Sequence, residues 1–230
     1  RTVPANQLPL SAVYDALNVR LKAGSLQNRP GLTQFHSTIF NARPTGGLAY
    51  RDASNNPIPL LATGTRIWKY ASGTWTDIIN TVLTASAAQL SRWAILETGA
   101  VVYAIHVNGK DAPRSWNGTD GTVSTVAGSP PTWFDVMTVD DRLMGVKAPY
   151  EVSWGEPLSI AVFPALNVRN LAETPDPIRA CGALGTTRGV IYKEETIWLV
   201  SPTGLPGPSA FRMDYFGKYN GPASTATRIN

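Results

Sequence analysis

The stretch LLATGTRIWKY, Leu60 to Tyr70, reads as an apolar strand, a Gly-Thr turn and a second strand carrying a tryptophan. The same order returns as VVYAIHVNGKDAPRSW (Val101 to Trp116), RLMGVKAPYEVSW (Arg142 to Trp154) and GVIYKEETIWLV (Gly189 to Val200). The tryptophans Trp68, Trp116, Trp154 and Trp198 are thus 48, 38 and 44 residues apart. A recurrence of roughly 40 to 50 residues is the length of one four-stranded propeller blade. A blade buries its sheet against the next, and a flat indole near the end of an inner strand covers much of that interface. The expected fold is all-β: a β-propeller with about four blades in residues 46–230, either an open arc or part of a larger ring. Residues 1–45 are expected to form an N-terminal extended segment with the first strands.

Composition agrees with many short strands. Charged residues are only 16% of the chain, so much of the surface must be Ser, Thr, Asn, Gly and backbone. The 20 glycines and 18 prolines are spread along the chain, as punctuation between strands is. Turn signals include Asn55-Asn56-Pro57, Ser72-Gly73, Asn108-Gly109, Asn117-Gly118, Asp120-Gly121 and Asp140-Asp141. The one stretch with helical character runs from Ser86 to Trp93. A further strand pair is expected to begin at Phe211 to Phe216, which would leave the propeller incomplete at its C-terminal end.

No apolar run is long enough to span a bilayer, and RTVPANQLPL lacks the basic-then-apolar order of a signal peptide. The single cysteine, Cys181, lies in the apolar run IRACGAL and reads as a small buried residue.

The residues for catalysis are hard to find. The two histidines are His36 and His106, and His106 keeps strand register with Val102 and Ala104, which suits a packed imidazole better than a general base. No transition-metal ligand set, calcium loop, nucleophile elbow or phosphate-cradling loop is present in the sequence. A glycosidase needs two carboxyl groups about 5 to 9 Å apart. Asp140-Asp141 and Glu194-Glu195 are sequence neighbours whose side chains would diverge on a strand, so both read as hairpin turns. Asp77 with Asp135 is the remaining candidate pair. ASGTWTD (Ala71 to Asp77) is similar to the Asp-box turn of sialidase-like propellers but lacks its aspartate, and reads as a plain hairpin. No cofactor is expected, and the chain is expected not to be an enzyme.

The formal net charge of +4 is placed unevenly. Arg1, Arg20, Lys22, Arg29 and Arg43 face only Asp15 in the first 50 residues, and the other 180 residues balance at fifteen against fifteen. The N-terminal end therefore reads as a solvated basic edge, as a face toward a polyanion such as DNA through sequence-independent phosphate attraction, or as a source of intersubunit salt bridges.

A more specific signal is ALNVRLKAGSLQNRPGLTQF, Ala16 to Phe35, followed by GGLAY, LLATGTRIWKY and GTWTDI. This order resembles the opening of the propeller-type nozzle, or packaged-DNA-stabilising head-completion, proteins of short-tailed bacteriophages. EVSWGEP (Glu151 to Pro157), IRACGAL, YKEETIWLV (Tyr192 to Val200) and YNGPAS (Tyr219 to Ser224) extend the likeness over nearly the whole chain. The resemblance implies a structural virion protein assembled in the host cytoplasm into a homo-oligomeric ring, a hexamer, in the phage tail. Its partners would be the portal or adaptor protein, tail fibre or distal tail proteins, and double-stranded DNA crossing the channel. Arg20, Lys22, Arg29 and Arg43 are the candidate contacts to DNA or a partner, and Trp68, Trp116, Trp154 and Trp198 the structural blade aromatics. A carbohydrate- or receptor-binding propeller would instead show solvent-open aromatic pockets once per blade; a glycoside hydrolase would need converging carboxylates.

Overall fold

A computed structural model describes residues 19–22, 25–28, 37–40, 42–84, 90–99 and 101–218. The chain divides into two compact units, Arg1–Ile39 and Phe40–Asn230. In the first, β1 (Val19–Lys22) and β2 (Ser25–Asn28) pair as an antiparallel hairpin.

The second unit holds four antiparallel sheets, each a four-stranded meander in chain order. The first comprises β3 (Pro44–Arg51), β4 (Pro57–Thr63), β5 (Ile67–Ala71) and β6 (Thr74–Asp77). The second comprises β7 (Arg92–Glu97), β8 (Val102–Val107), β9 (Arg114–Trp116) and β10 (Ser124–Thr125). The third comprises β11 (Asp135–Val139), β12 (Arg142–Lys147), β13 (Glu151–Trp154) and β14 (Val168–Asn170). The fourth comprises β15 (Ile178–Leu184), β16 (Arg188–Lys193), β17 (Thr196–Pro202) and β18 (Phe211–Lys218). The leading strands β3, β7, β11 and β15 lie side by side in that order, so the first strand of each sheet is innermost and the sheets are propeller blades.

Three seams join the blades. Tyr50, Leu60, Ala62 and Ile67 of the first blade meet Trp93, Ala104 and Trp116 of the second. Leu96, Ile105 and Val107 of the second meet Trp133, Val136 and Leu143 of the third. Met137, Met144 and Trp154 of the third meet Cys181, Ile191, Trp198, Phe211 and Met213 of the fourth. Among the described residues no core cluster joins the fourth blade to the first, and β15 does not lie beside β3 as the other leading strands lie beside one another, so the described blades form an open arc.

The structure corrects three expectations. All four repeat tryptophans lie on the third strand of their blade, not on the inner one, because the apolar strand preceding each is the second of the meander. Of the helical stretch Ser86 to Trp93, residues 86–89 lie outside the described residues, while Arg92 and Trp93 open strand β7, where Trp93 pairs with His106 in the sheet. Phe211 to Phe216 starts no new strand pair; it belongs to the single strand β18, which completes the fourth blade on the edge of β17.

The turn chemistry follows the sequence closely. Asp140 and Asp141 form the two-residue β11–β12 turn with φ of 51° and 55°, and Glu194-Glu195 links β16 to β17. Two non-glycine residues in the left-handed region carry a steric cost that Asn-Gly relieves. Replacing Asp140-Asp141 by Asn-Gly is expected to raise the unfolding free energy by about 0.5–1 kcal/mol, measured by urea denaturation.

Candidate functional site: blade seams, open faces and basic positions

Strand register decides which way each tryptophan points. Trp116 pairs with Ala104 on the side of β9 that faces the first blade, where its ring meets Tyr50 at 5.3 Å. Trp198 pairs with Ile191 and likewise faces back, onto the third blade. Trp154 faces forward instead: it pairs with Met144, meets Phe211 edge-on at 5.5 Å and donates its indole N–H to the Gly207 carbonyl. The backward position on β13 is Ser153, one residue earlier, so the third blade has no backward indole on that strand.

Trp133 fills the vacated place. It arrives from the segment before β11, lies over Gly145, and donates its indole N–H to Ser153 Oγ at 2.9 Å. A Cβ on Gly145 would come within 2.0 Å of the Trp133 ring, so the glycine is what lets the indole lie flat on β12. The four-fold tryptophan spacing does not mark Trp133; the signal available was its place in PPTWF directly before a strand.

Trp116, Trp154 and Trp198 are 2%, 2% and 4% exposed. A sugar-binding blade would show its aromatic face to solvent, so these three are seam residues. Trp68 points backward like Trp116 and Trp198, but the first blade has no predecessor within the arc. Phe40 lies edge-on against both Trp68 and Trp75 at 5.4 Å there.

The buried polar groups are also seam elements. Asp135 on β11 is buried, and its carboxylate accepts from the Cys181 amide of β15 and from its own neighbour Val136, both at 2.9 Å. Asp77 lies on the outermost strand of the first blade, where it is paired with Arg66 at 2.8 Å and caps the Ile79 amide. Each of these carboxylates thus holds its own blade or seam in place. His106 is packed on Trp93 at 4.8 Å between centroids, with Nε2 buried and unpartnered. Burial holds its pKa at about 3, against a pull upward from Asp111 and with a further push downward from Arg114.

Lys193 was not singled out by the sequence and is fully buried. Its ammonium donates to the Leu171 and Thr174 carbonyls and the Thr174 hydroxyl, 3.5 Å from Asp176 and over the Tyr150 ring. Burial alone would raise the Asp176 pKa, but the Glu195 amide, the Thr174 and Thr196 hydroxyls and the Lys193 charge outweigh it and bring it to about 2. The cluster ties the segment between β14 and β15 to the end of β16. A buried charge with this many partners is a structural tie.

The basic candidates are placed as follows. Arg20 and Lys22 lie on β1, in register with Gln27 and Ser25 of β2. Arg29 lies outside the described residues. Arg43 is exposed, immediately before β3. On the blades many cations have local acidic partners: Arg142 with Glu156, Arg169 with Glu173, Arg179 with Glu194, Arg212 with Asp214 and Lys218 with Glu195. Such pairs add little stability but leave a weak surface field.

No family model and no curated protein sequence matches the chain. Among solved structures it is similar to the computationally designed protein Ika4, at 10% identity over 81% of this chain and 100% of that one, with a TM-score of 0.46. It is also similar to Hsv2 of Kluyvelomyces marxianus, at 9% identity over 84% of this chain and 78% of that one, with a TM-score of 0.40.

Proposed function

We propose that this chain is a structural protein of a bacteriophage tail. It forms a homo-oligomeric nozzle or head-to-tail ring that encloses the DNA channel and retains packaged DNA. The observation that carries the proposal is the open arc of the described residues: four blades whose three internal seams are filled and whose end faces carry half-buried Trp68 and Leu61 at one end and exposed Leu184 and Tyr192 at the other. Such a body is suited to assembly. The locally neutralised cations support a conduit role, because a wall without strong phosphate contacts does not hold DNA back. Arg20, Lys22, Arg29 and Arg43 are the positions proposed to meet DNA or the portal.

The experiment is to mix purified protein with portal-bearing particles that lack tails, and to examine them by negative-stain microscopy and light scattering. Rings at the portal vertex, with capture weakened by Arg20→Glu, Lys22→Glu and Arg43→Glu and by added salt, are the expected result. A protein that ignores the portal vertex and instead binds a glycan array would sink the proposal and favour a lectin.

A further inference from the structure

The seams follow a rule. Each blade that follows another sends an indole backward onto it: Trp116 from β9, Trp198 from β17 and, for the third blade, Trp133 resting on β12 and β13. Each blade that precedes another offers an apolar forward face, chiefly from its inner strands, such as Leu96, Ile105 and Val107 in the second. Among the described residues, the two ends of the arc carry the unmatched halves of this same seam. The first blade presents the backward indole of Trp68, one edge of which Phe40 covers, with half-buried Leu61, beside exposed Ala49 on the same side of β3. The fourth blade presents a forward face of half-buried Ile197 and Leu199 around buried Val190, with Leu184 and Tyr192 53% and 36% exposed.

We infer that these two faces dock on each other between copies of the chain: the fourth blade of one copy packs on the first blade of the next, continuing the propeller across the subunit boundary. The occupant is a second copy because the two missing halves are complementary to each other and sit on one chain. Both are built like the three seams already in the molecule. The contact joins two different surfaces and is therefore heterologous, so it propagates until rotation closes it. This rests on the ring-forming reading above and specifies its interface.

A heterologous contact makes a prediction that a self-complementary one does not. Ala49→Arg blocks the first-blade face and Leu184→Arg the fourth-blade face; both positions are exposed, so folding is retained and is checked by circular dichroism. Burying an arginine without a partner is expected to weaken association roughly 100-fold. In light scattering each variant alone stays monomeric while wild type assembles. An equimolar mixture forms a dimer and stops there, because the single intact face of each partner is used in that contact and the two free ends are the blocked ones. The gentler pair Leu184→Ser and Tyr192→Ser on a single chain should weaken assembly in the same direction. Variants that assemble like wild type overturn the inference, as does a mixture that remains monomeric. If both arginine variants still form complete rings at the portal vertex, the interface is wrong while the nozzle reading stands. If wild type forms no assembly alone or at the vertex, both fall.

Discussion

Trp133→Ala is expected to lower the unfolding free energy by about 3–5 kcal/mol. The indole is completely buried, fills the seam between the second and third blades, and leaves behind a void walled by Gly145 and the Phe163 ring. Gly145 is fixed in β12 and has no side chain to offer into it. Ser153 also loses the donor that satisfies its buried hydroxyl. Trp68→Ala is the control: its ring is half-buried at the end of the arc, and the loss expected there is about 1–2 kcal/mol. Urea denaturation followed by circular dichroism measures both. A loss at Trp133 no greater than that at Trp68 would show that the seam is not filled as described.

Acid sensitivity should come chiefly from His106. Its folded pKa of about 3 lies below the ordinary value of 6.5, so between these limits the unfolded chain takes up a proton that the folded chain refuses. Stability contributed this way is complete above about pH 6.5 and is lost as pH falls toward 3. A tenfold difference in proton affinity is worth about 1.4 kcal/mol, which puts the loss across the window on the order of 4 kcal/mol. Asp176 acts in the same direction but lower, as pH falls from about 4 toward 2. His106→Phe keeps a ring against Trp93 and removes both the titration and the unpartnered Nε2. Its stability should therefore be nearly level between pH 6.5 and 4.5, where the parent chain falls steeply. A parent curve equally level over that interval would mean that His106 charges inside the fold.

The division of the chain into blades could be read from Leu60 to Tyr70 and its three echoes, because a meander writes each hairpin as an apolar run, a turn and another run. Turns were equally legible: Asp140-Asp141 and Glu194-Glu195 are the hairpin turns their composition suggests. Cys181 is buried, as an apolar neighbourhood implies. The basic positions of the N-terminal region were visible as charge, yet charge says nothing of a partner.

Facing was not legible. A strand sends successive side chains to opposite sides, so a one-residue offset turns Trp154 forward while Trp116 and Trp198 face backward, and their sequence spacing alone cannot reveal it. The same holds for Trp133 taking the place of a third-strand indole, and for Lys193 finding Thr174 and Asp176 across a seam. The sequence by itself determined the strands, their turns and their four-fold recurrence, since these depend on neighbours along the chain. Only the tertiary structure decided which strand is innermost, which face of each sheet is filled and that the described blades form an open arc, because those depend on which blade lies against which.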